Sequence, residues 1–275
     1  MTGDYSSRVW RGGVLACEDF PLASVSDYLD EPDTLVWIDL CSPSVDVLHD
    51  LAAELGLHEL AVEDALSPHQ RPKLDHYESH SFLSCHAVSV DAEGQCLIES
   101  EIDAFINTRW LVTVRKDDRF SMREVTARWD RSPRLVVHGA GYLLYGLLDV
   151  VVDGYFETVQ GFDDYYETVS AGLFADEPLS PHEQRNWFEM RRALVRFHRL
   201  VVPMREAVSA LMRRDHAHMP QALYPYLQDV YDHVLRASES TDGGRDALIA
   251  QSTRSPEAST ASTTSASRFL GRRSR

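Results

Sequence analysis

The spacing of apolar residues changes near residue 139, from short runs before it to long helical stripes after it. Before that point, apolar runs bounded by turn residues predict strands at 36–40, 81–90, 96–98, 101–106 and 110–114. The later runs follow one another closely and predict an antiparallel meander. Residues 1–35 predict irregular structure or short strands, with an edge strand at 14–17 and a turn near Val25.

Two helices are predicted among these strands. In the first, apolar residues recur on one face after Ser44 and end at Gly56, which suits a helix stop. The second covers about 120–129. Helices and antiparallel strands in one segment indicate an α+β or mixed α/β class.

Long helices are predicted from Ala140 onward. The first carries apolar residues at helical spacing as far as Val169. The second follows a predicted cap at Ser180 and has apolar residues at alternating steps of three and four (Trp187, Met190, Leu194, Phe197, Val201, Met204, Val208 and Leu211). Pro203 lies within that series and predicts a local kink.

A third long helix is predicted from about Pro220, with Gly243 and Gly244 interrupting it. After it the composition changes, because 251–275 contain eleven Ser or Thr residues, five Arg residues and one acid, Glu257. Such a segment cannot bury a core, so we predict a disordered tail. We divide the chain into an α/β domain (1–138), a long-helix region (139–250) and this tail (251–275).

Charge patterning adds one expectation and excludes one class of partner. The net charge of −16 disfavours nucleic acid binding. The segment 140–180 has eight acids and no Lys or Arg, whereas 181–215 has eight arginines and four acids. This contrast favours antiparallel pairing of the first two long helices. Most of those acids are expected on a solvated face or paired with these arginines, and the alternative is a surface that concentrates cations.

The cysteines and the apolar runs indicate the cellular compartment in which the chain is expected. Cys17, Cys41, Cys85 and Cys96 form no C-x-x-C pair, which indicates free thiols in a reducing compartment. The first eleven residues hold no apolar run typical of a signal peptide. The chain also lacks a run of about eighteen apolar residues, so we expect it not to cross a membrane by itself.

The most specific stretch runs from Gly56 to Lys73. It reads GLHELAVEDALSPHQRPK and resembles the pattern G-[IL]-H-x-L-x-[VL]-E-D-x-L-x-x-x-Q-R-P-K of the CorA family of divalent-cation transporters. The resemblance extends over about 35–249. It includes a W-[IV]-D-[LV] strand at 37–40, a YLLY segment at 142–145, a P-x-R-E step at 203–206 and a DVYDH segment at 229–233.

Membership of that family implies a cytoplasmic, funnel-type domain of a pentameric magnesium transporter, whose stalk helix continues into the inner or plasma membrane. The membrane helices and the Gly-Met-Asn pore motif of the family are absent from this sequence. We therefore expect a truncated or frame-shifted member with a stub of the stalk helix. It should remain cytoplasmic, conduct no ions by itself and co-assemble with full-length family members.

The resemblance also implies one metal site. The family binds regulatory Mg²⁺ with carboxylates between subunits, one of them in the turn after the strand, where this chain has Asp91. The partner carboxylate of the stalk would fall near Thr253, which offers no anionic ligand. Weak binding of divalent cations at Asp91 is the expectation. The alternative is that Asp91 begins a β-turn, where Asp is favoured.

Other candidate sites have simpler explanations. Glu63 and Asp64 are adjacent and do not share a helix face, so an acid/base pair is not expected. Arg71 and Lys73 are expected to pair with nearby acids. The histidine pairs at 76 and 80 and at 216 and 218 have no third ligand at suitable spacing and are predicted to be structural.

Two alternatives to a transport protein remain at this point. The first is a soluble metal-responsive or subunit-binding module. The second is an enzyme, for which the sequence offers neither a G-x-S-x-G elbow nor a phosphate-binding G-x-x-x-x-G-K-[ST] loop. We therefore predict that the chain is not an enzyme.

Overall fold

The computed structural model describes residues 4–91, 96–173, 180–213 and 218–252, with the side chains of 168–173 and 242–252 left aside. Seven strands form one sheet: β1 (Asp4–Arg11), β2 (Val14–Glu18), β3 (Thr34–Cys41), β4 (Lys73–His76), β5 (Ser81–Val90), β6 (Leu97–Ile106) and β7 (Trp110–Arg115). Their order is β2-β1-β3-β7-β6-β5-β4. Neighbouring strands in this described sheet are antiparallel except β3 and β7, which are parallel.

Helices cover both faces of the sheet. The described α-helices are α1 (Val25–Asp30), α2 (Val45–Leu55), α3 (Glu59–Leu66), α4 (Met122–Arg131), α5 (Ala140–Leu173), α6 (Pro181–Leu211) and α7 (Tyr224–Ser252). Short 3-10 turns precede α1, α5 and α7 at Leu22–Ser24, Pro133–His138 and Gln221–Leu223. The predicted α+β class, with a mixed sheet, flanking helices and long helices, is confirmed.

Side chains along the central strands alternate between the two faces of the sheet, and each face has its own apolar core. On β3, Val36, Ile38 and Leu40 face the core that α1, α2 and α3 cover. Trp37, also on β3, points to the other face and joins a larger core with α4, α5, α6 and α7. Because side chains of a strand alternate between faces, a strand buried on both sides has few polar positions. This explains the nearly continuous apolar run of β3.

The caps of the predicted helices are present. The side chain of Ser44 accepts a hydrogen bond from the amide of Val47, and Gly56 has a φ of 64°, the left-handed conformation in which glycine is least strained. Ser180 and Glu183 form a capping box at the start of α6. Both ends of α2 and the start of α6 are therefore set by local sequence.

Helices α5 and α6 contact each other in antiparallel fashion, as predicted. The ring centroid of Tyr166 on α5 lies 6.2 Å from that of Trp187 near the start of α6. Further along, the centroid of Tyr155 lies 5.6 Å from that of Phe197. Residues further along α6 therefore contact residues earlier on α5, as expected for two antiparallel helices. Helix α6 continues through Pro203.

The structure corrects four details. Helix α1 (Val25–Asp30) occupies the place where a turn was predicted. The runs at 96–98 and 101–106 form the single strand β6, and β4 was not predicted. Helix α7 continues to Ser252, past Gly243 and Gly244, so the expected interruption is wrong. Each glycine destabilises a helix by only about 1 kcal/mol relative to alanine, which a helix of 29 residues can absorb. The boundary near residue 139 stays a prediction, and residues 253–275 of the predicted tail lie outside the described residues.

Candidate metal site and its surroundings

Asp91 lies directly after β5 and is half-buried. Its backbone amide donates to the carbonyl oxygen of Cys96 at 3.0 Å. In return, the amide of Cys96 donates to Asp91 Oδ1 at 3.2 Å. The carboxylate therefore stabilises the connection from β5 to β6, which is the turn role that Asp often has. An ionised carboxylate has about four lone-pair sites, so the hydrogen bond from Cys96 is compatible with both interpretations of Asp91.

The other half of the predicted site is not brought to Asp91 by the described residues. Thr253, the position of the expected stalk carboxylate, lies outside them. Among residues 4–91, 96–173, 180–213 and 218–252, His, Cys, Asp and Glu side chains form no group of three that could hold a metal ion. Of the two predicted ligand positions, Asp91 and Thr253, the described residues include Asp91.

The Gly56–Lys73 segment has a structural role in the described fold. Nδ1 of His58 accepts a hydrogen bond from the amide of Leu60 and so caps α3. The same imidazole stacks on the ring of Tyr77, with centroids 4.3 Å apart. Nζ of Lys73 lies 2.7 Å from Asp64 Oδ2 and 2.8 Å from Asp75 Oδ2. These contacts join α3 to the strand that follows it and confirm that Lys73 pairs with nearby acids.

Glu101 of β6 fixes the connection between α3 and β4. Its carboxylate accepts hydrogen bonds from the amides of His69, at 2.7 Å, and Gln70, at 3.3 Å. His69 has a φ of 71°, a conformation that non-glycine residues adopt rarely. The two hydrogen bonds to a buried carboxylate offset part of the resulting backbone strain.

A buried polar cluster that the sequence analysis missed surrounds Glu101. Asp103 is fully buried, and Lys116 Nζ lies 2.8 Å from its Oδ2. The same ammonium lies 3.8 Å from Glu101 Oε1 and donates to the carbonyl oxygen of Ala65. One lysine therefore faces two buried carboxylates. Burial raises the pKa of Asp103 to about 6, although the charge of Lys116 acts in the opposite direction.

His86 lies beside this cluster and is almost completely buried. Burial lowers its pKa to about 4, with smaller contributions from the charges of Arg196, His69 and Lys116. The imidazole is therefore neutral at pH 7, and its Nε2 lies 3.9 Å from Glu101 Oε2. The signal in the sequence was the presence of acids inside the apolar strand β6, where a buried acid requires a partner.

Replacing Asp103 by Asn should alter how stability depends on pH. The folded pKa of Asp103 lies above its ordinary 3.8, so its contribution to stability is present in acid and is lost as the pH rises through about 6. The amide of Asn does not titrate, so the variant does not lose this part of the free energy of unfolding as the pH rises. Between pH 4.5 and 7.5, the free energy of unfolding of Asp103→Asn should therefore rise by about 2–3 kcal/mol relative to the unmodified chain.

Urea denaturation at several pH values measures this difference. Asp118→Asn, which removes an exposed carboxylate from a nearby loop, is the matched control and should follow the unmodified chain. A constant difference between Asp103→Asn and the unmodified chain across this range would contradict the assigned pKa.

Two acids of α5 have a partner other than the arginines of 181–215. Arg128 of α4 contacts Asp149, and its Nη2 lies 2.7 Å from Asp153 Oδ2. These two acids therefore pair with α4 and not with the arginines of 181–215. Asp163 lies further along α5, where burial and the neighbouring acids Asp164 and Glu167 raise its pKa.

His76 and His80 each have a hydrogen-bonding partner within the protein, which supports their predicted structural role. His80 is fully buried, and its Nδ1 lies 2.9 Å from the hydroxyl of Ser79. Burial lowers the pKa of His80 to about 4. Nδ1 of His76, at the end of β4, lies 3.0 Å from the hydroxyl of Ser81. Residues 76–80 do not form a helix, and His216 lies outside the described residues.

Within the described parts of the chain, no helix is both long and apolar enough to cross a membrane.

The sequence matches a family model over most of its length. The model described as CorA-like Mg²⁺ transporter protein matches residues 32–250. The putative metal ion transporter YfjQ of Bacillus subtilis is 29% identical over 224 residues, which cover 79% of this chain and 67% of the relative. The cobalt/magnesium transport protein CorA of Thermotoga maritima is 28% identical over 249 residues, covering 88% of this chain and 70% of the relative.

Solved structures share the fold. The soluble domain of CorA from Methanocaldococcus jannaschii superposes with a TM-score of 0.73 at 18% identity, covering 92% of this chain and 97% of that domain. The full-length CmaX protein superposes with a TM-score of 0.70 at 18% identity, covering 90% of this chain and 75% of CmaX. The seven-stranded sheet with its long helices is therefore an architecture found in these proteins.

Proposed function

Because this chain belongs to the family of CorA-like Mg²⁺ transporter proteins, we propose that it takes part in divalent metal-ion transport as a domain that lies in the cytoplasm, outside the membrane. The match of the family model to residues 32–250 carries this proposal. Coverage of 97% of a solved soluble CorA domain supports the assignment to that part of a transporter. The family is one of transporters and not a class of enzymes.

Asp91 is the proposed regulatory contact with Mg²⁺. Mg²⁺ prefers oxygen ligands, retains several waters and is often held by one or two carboxylates. Two hydrogen bonds join Asp91 to Cys96, one from the Asp91 backbone amide and one to its carboxylate, and they support this role by fixing the position of Asp91 after β5. Because a single carboxylate binds weakly, we propose that a second anionic ligand comes from another subunit.

A full-length family member is the proposed source of that ligand. In this arrangement the chain joins an assembly whose other subunits carry the stalk carboxylate and the conducting pathway. The chain then modulates transport, and by itself it conducts no ions. This proposal combines the transport function with the subunit-binding role.

The isolated chain should respond little to Mg²⁺. With millimolar Mg²⁺ and a dissociation constant of about ten millimolar, ligand binding stabilises the fold by only about 0.1 kcal/mol or less. Sedimentation velocity should show a monomer with and without Mg²⁺. When the tagged chain is co-expressed with a full-length family member, we expect it to be recovered in the membrane fraction with that partner, and more strongly in Mg²⁺ than in EDTA.

Asp91→Asn is the variant that tests the site, since it keeps the acceptor for the Cys96 amide and removes the charge. It should abolish the Mg²⁺ dependence of recovery, whereas Asp118→Asn should not. Failure to recover the unmodified chain with any full-length partner would contradict the proposed assembly. A Mg²⁺-dependent oligomer of the isolated chain that Asp91→Asn abolishes would show that the second ligand lies within this chain.

A further inference from the structure

A groove separates the outer face of α6 from the start of β6. Its volume is about 650 Å³, and its walls are formed by Cys96, Leu97, Phe188, Glu189, Arg191, Arg192, Ala193, Val195, Arg196 and Arg199. Two distinct elements thus enclose it, the long helix on one side and the end of the hairpin β5–β6 on the other. The proposed transport function does not involve any of the residues that line this groove.

The groove is strongly basic in a strongly acidic protein. Four of its lining residues are arginines and one is an acid, although the chain as a whole has a net charge of −16. Nη1 of Arg192 is only 3.5 Å from Glu189 Oε1, in an exposed pair. Arg196 contacts Glu99 on β6, which holds the helix to the sheet at this point.

Two of the arginines remain available for a ligand. In the described parts of the chain, neither Arg191 nor Arg199 has an acidic side chain within the 4.0 Å of an ion pair. Guanidinium groups that project from successive turns of one helix repel each other until an anion lies between them. The groove therefore favours an anion with more than one negative charge.

The spacing of the arginines suits a chain of phosphates. Arg191 and Arg199 are eight residues apart, so their backbones are separated by about 12 Å along the helix axis. Arg192 and Arg196 project between them on neighbouring turns. A planar guanidinium group can donate two parallel hydrogen bonds to phosphate oxygens. A single carboxylate cannot accept such pairs of hydrogen bonds from all four arginines, whereas a chain of phosphates can.

Phe188 extends the groove with an aromatic surface. It is 59% exposed, an unusual position for a phenylalanine, and it lies one helical turn before Arg191 and Arg192. Exposed aromatic rings stack on the faces of nucleobases, largely independently of the base. An aromatic ring beside a row of arginines therefore matches a ligand with a planar ring at one end and phosphates at the other.

We infer that this groove binds a nucleoside triphosphate, with Arg191, Arg192, Arg196 and Arg199 contacting the phosphates and Phe188 stacking on the base. The inference does not depend on the transport role, since it rests on α6 and β6 alone.

Calorimetric titration of the whole chain in buffer without divalent cations tests the inference, because Mg²⁺ at Asp91 then contributes nothing. ATP, tripolyphosphate and adenosine are the three probes. ATP and tripolyphosphate should bind, ATP more tightly, and adenosine should not bind detectably. Arg191→Gln combined with Arg199→Gln should weaken ATP binding by at least tenfold, because each removes charge-assisted hydrogen bonds.

Two further variants identify what each part of the groove does. Arg134→Gln removes an exposed arginine outside the groove and should leave ATP binding unchanged. Phe188→Ala should weaken ATP binding several-fold and leave tripolyphosphate binding unchanged. Circular dichroism should show the same folded spectrum for all variants, since the altered side chains are at least partly exposed.

Three outcomes would overturn the inference. The first is equal binding of ATP to the unmodified chain and to the Arg191/Arg199 double variant. The second is equal weakening by Arg134→Gln, which would indicate attraction to charge in general. The third is an oligomer of the chain that the double variant dissociates, without any binding of ATP. That result would assign the groove to the acidic surface of a second copy.

Discussion

Replacing Asp39 by Ala should lower the free energy of unfolding by about 3–5 kcal/mol, because it removes the buried carboxylate that pairs with the largely buried guanidinium of Arg115. Asp39 lies on β3 and is 1% exposed. Nη2 and Nε of Arg115, at the end of β7, donate to Asp39 Oδ2 at 2.7 and 3.0 Å. The hydroxyl of Thr113 also donates to Asp39 Oδ1, at 2.7 Å.

Urea denaturation of Asp39→Ala at neutral pH measures this loss. Asp130→Ala is the matched control, since Asp130 also accepts from an arginine, Arg8, but is half exposed. Exposed ion pairs contribute about 0–1 kcal/mol, so the control should lose no more than that. Similar losses in the two variants would show that burial does not govern the Asp39–Arg115 pair.

Replacing Phe197 by Ala should destabilise the long-helix region by about 3–5 kcal/mol. Phe197 is fully buried on α6. Its ring centroid lies 5.6 Å from that of Tyr155, edge to face, and 5.9 Å from that of Phe162. Removing the ring therefore eliminates both aromatic contacts with α5 and leaves a cavity at the contact between the two helices.

Phe188→Ala provides the control on the same helix. Phe188 is 59% exposed, so its removal should change the free energy of unfolding by less than about 0.5 kcal/mol. The comparison separates loss of buried packing from the effect of placing Ala in α6. If Phe197→Ala loses less than 1 kcal/mol, the two helices do not pack through this ring in solution.

Local sequence predicted much of the secondary structure because the deciding interactions are local. Ser44 and Gly56 bound α2, and Ser180 with Glu183 begins α6, all through contacts within a few residues. The strands β3, β5 and β7 were also predictable, because each is a largely apolar run bounded by turn residues. The family pattern at 56–73 identified the fold but gave no role for its residues.

Interactions between distant residues could not be predicted in this way. Arg115 and Asp39 are 76 positions apart, and nothing near either residue indicates the other. The charge contrast between 140–180 and 181–215 indicated pairing of α5 with α6, yet Asp149 and Asp153 contact Arg128 of α4. At the candidate site, the turn position of Asp91 was predictable, whereas its hydrogen bonds with Cys96 depend on how β5 and β6 pair.

The parallel pairing of β3 with β7 has a consequence for how the chain folds. Val36 pairs with Trp110, so the centre of the sheet cannot close until 74 further residues have been synthesised. Until then β3 has only β1 beside it, and its other edge remains open. Closing so long a loop slows folding, and an open apolar edge favours aggregation. The nascent chain is therefore most exposed to misassembly in the interval between the synthesis of β3 and that of β7.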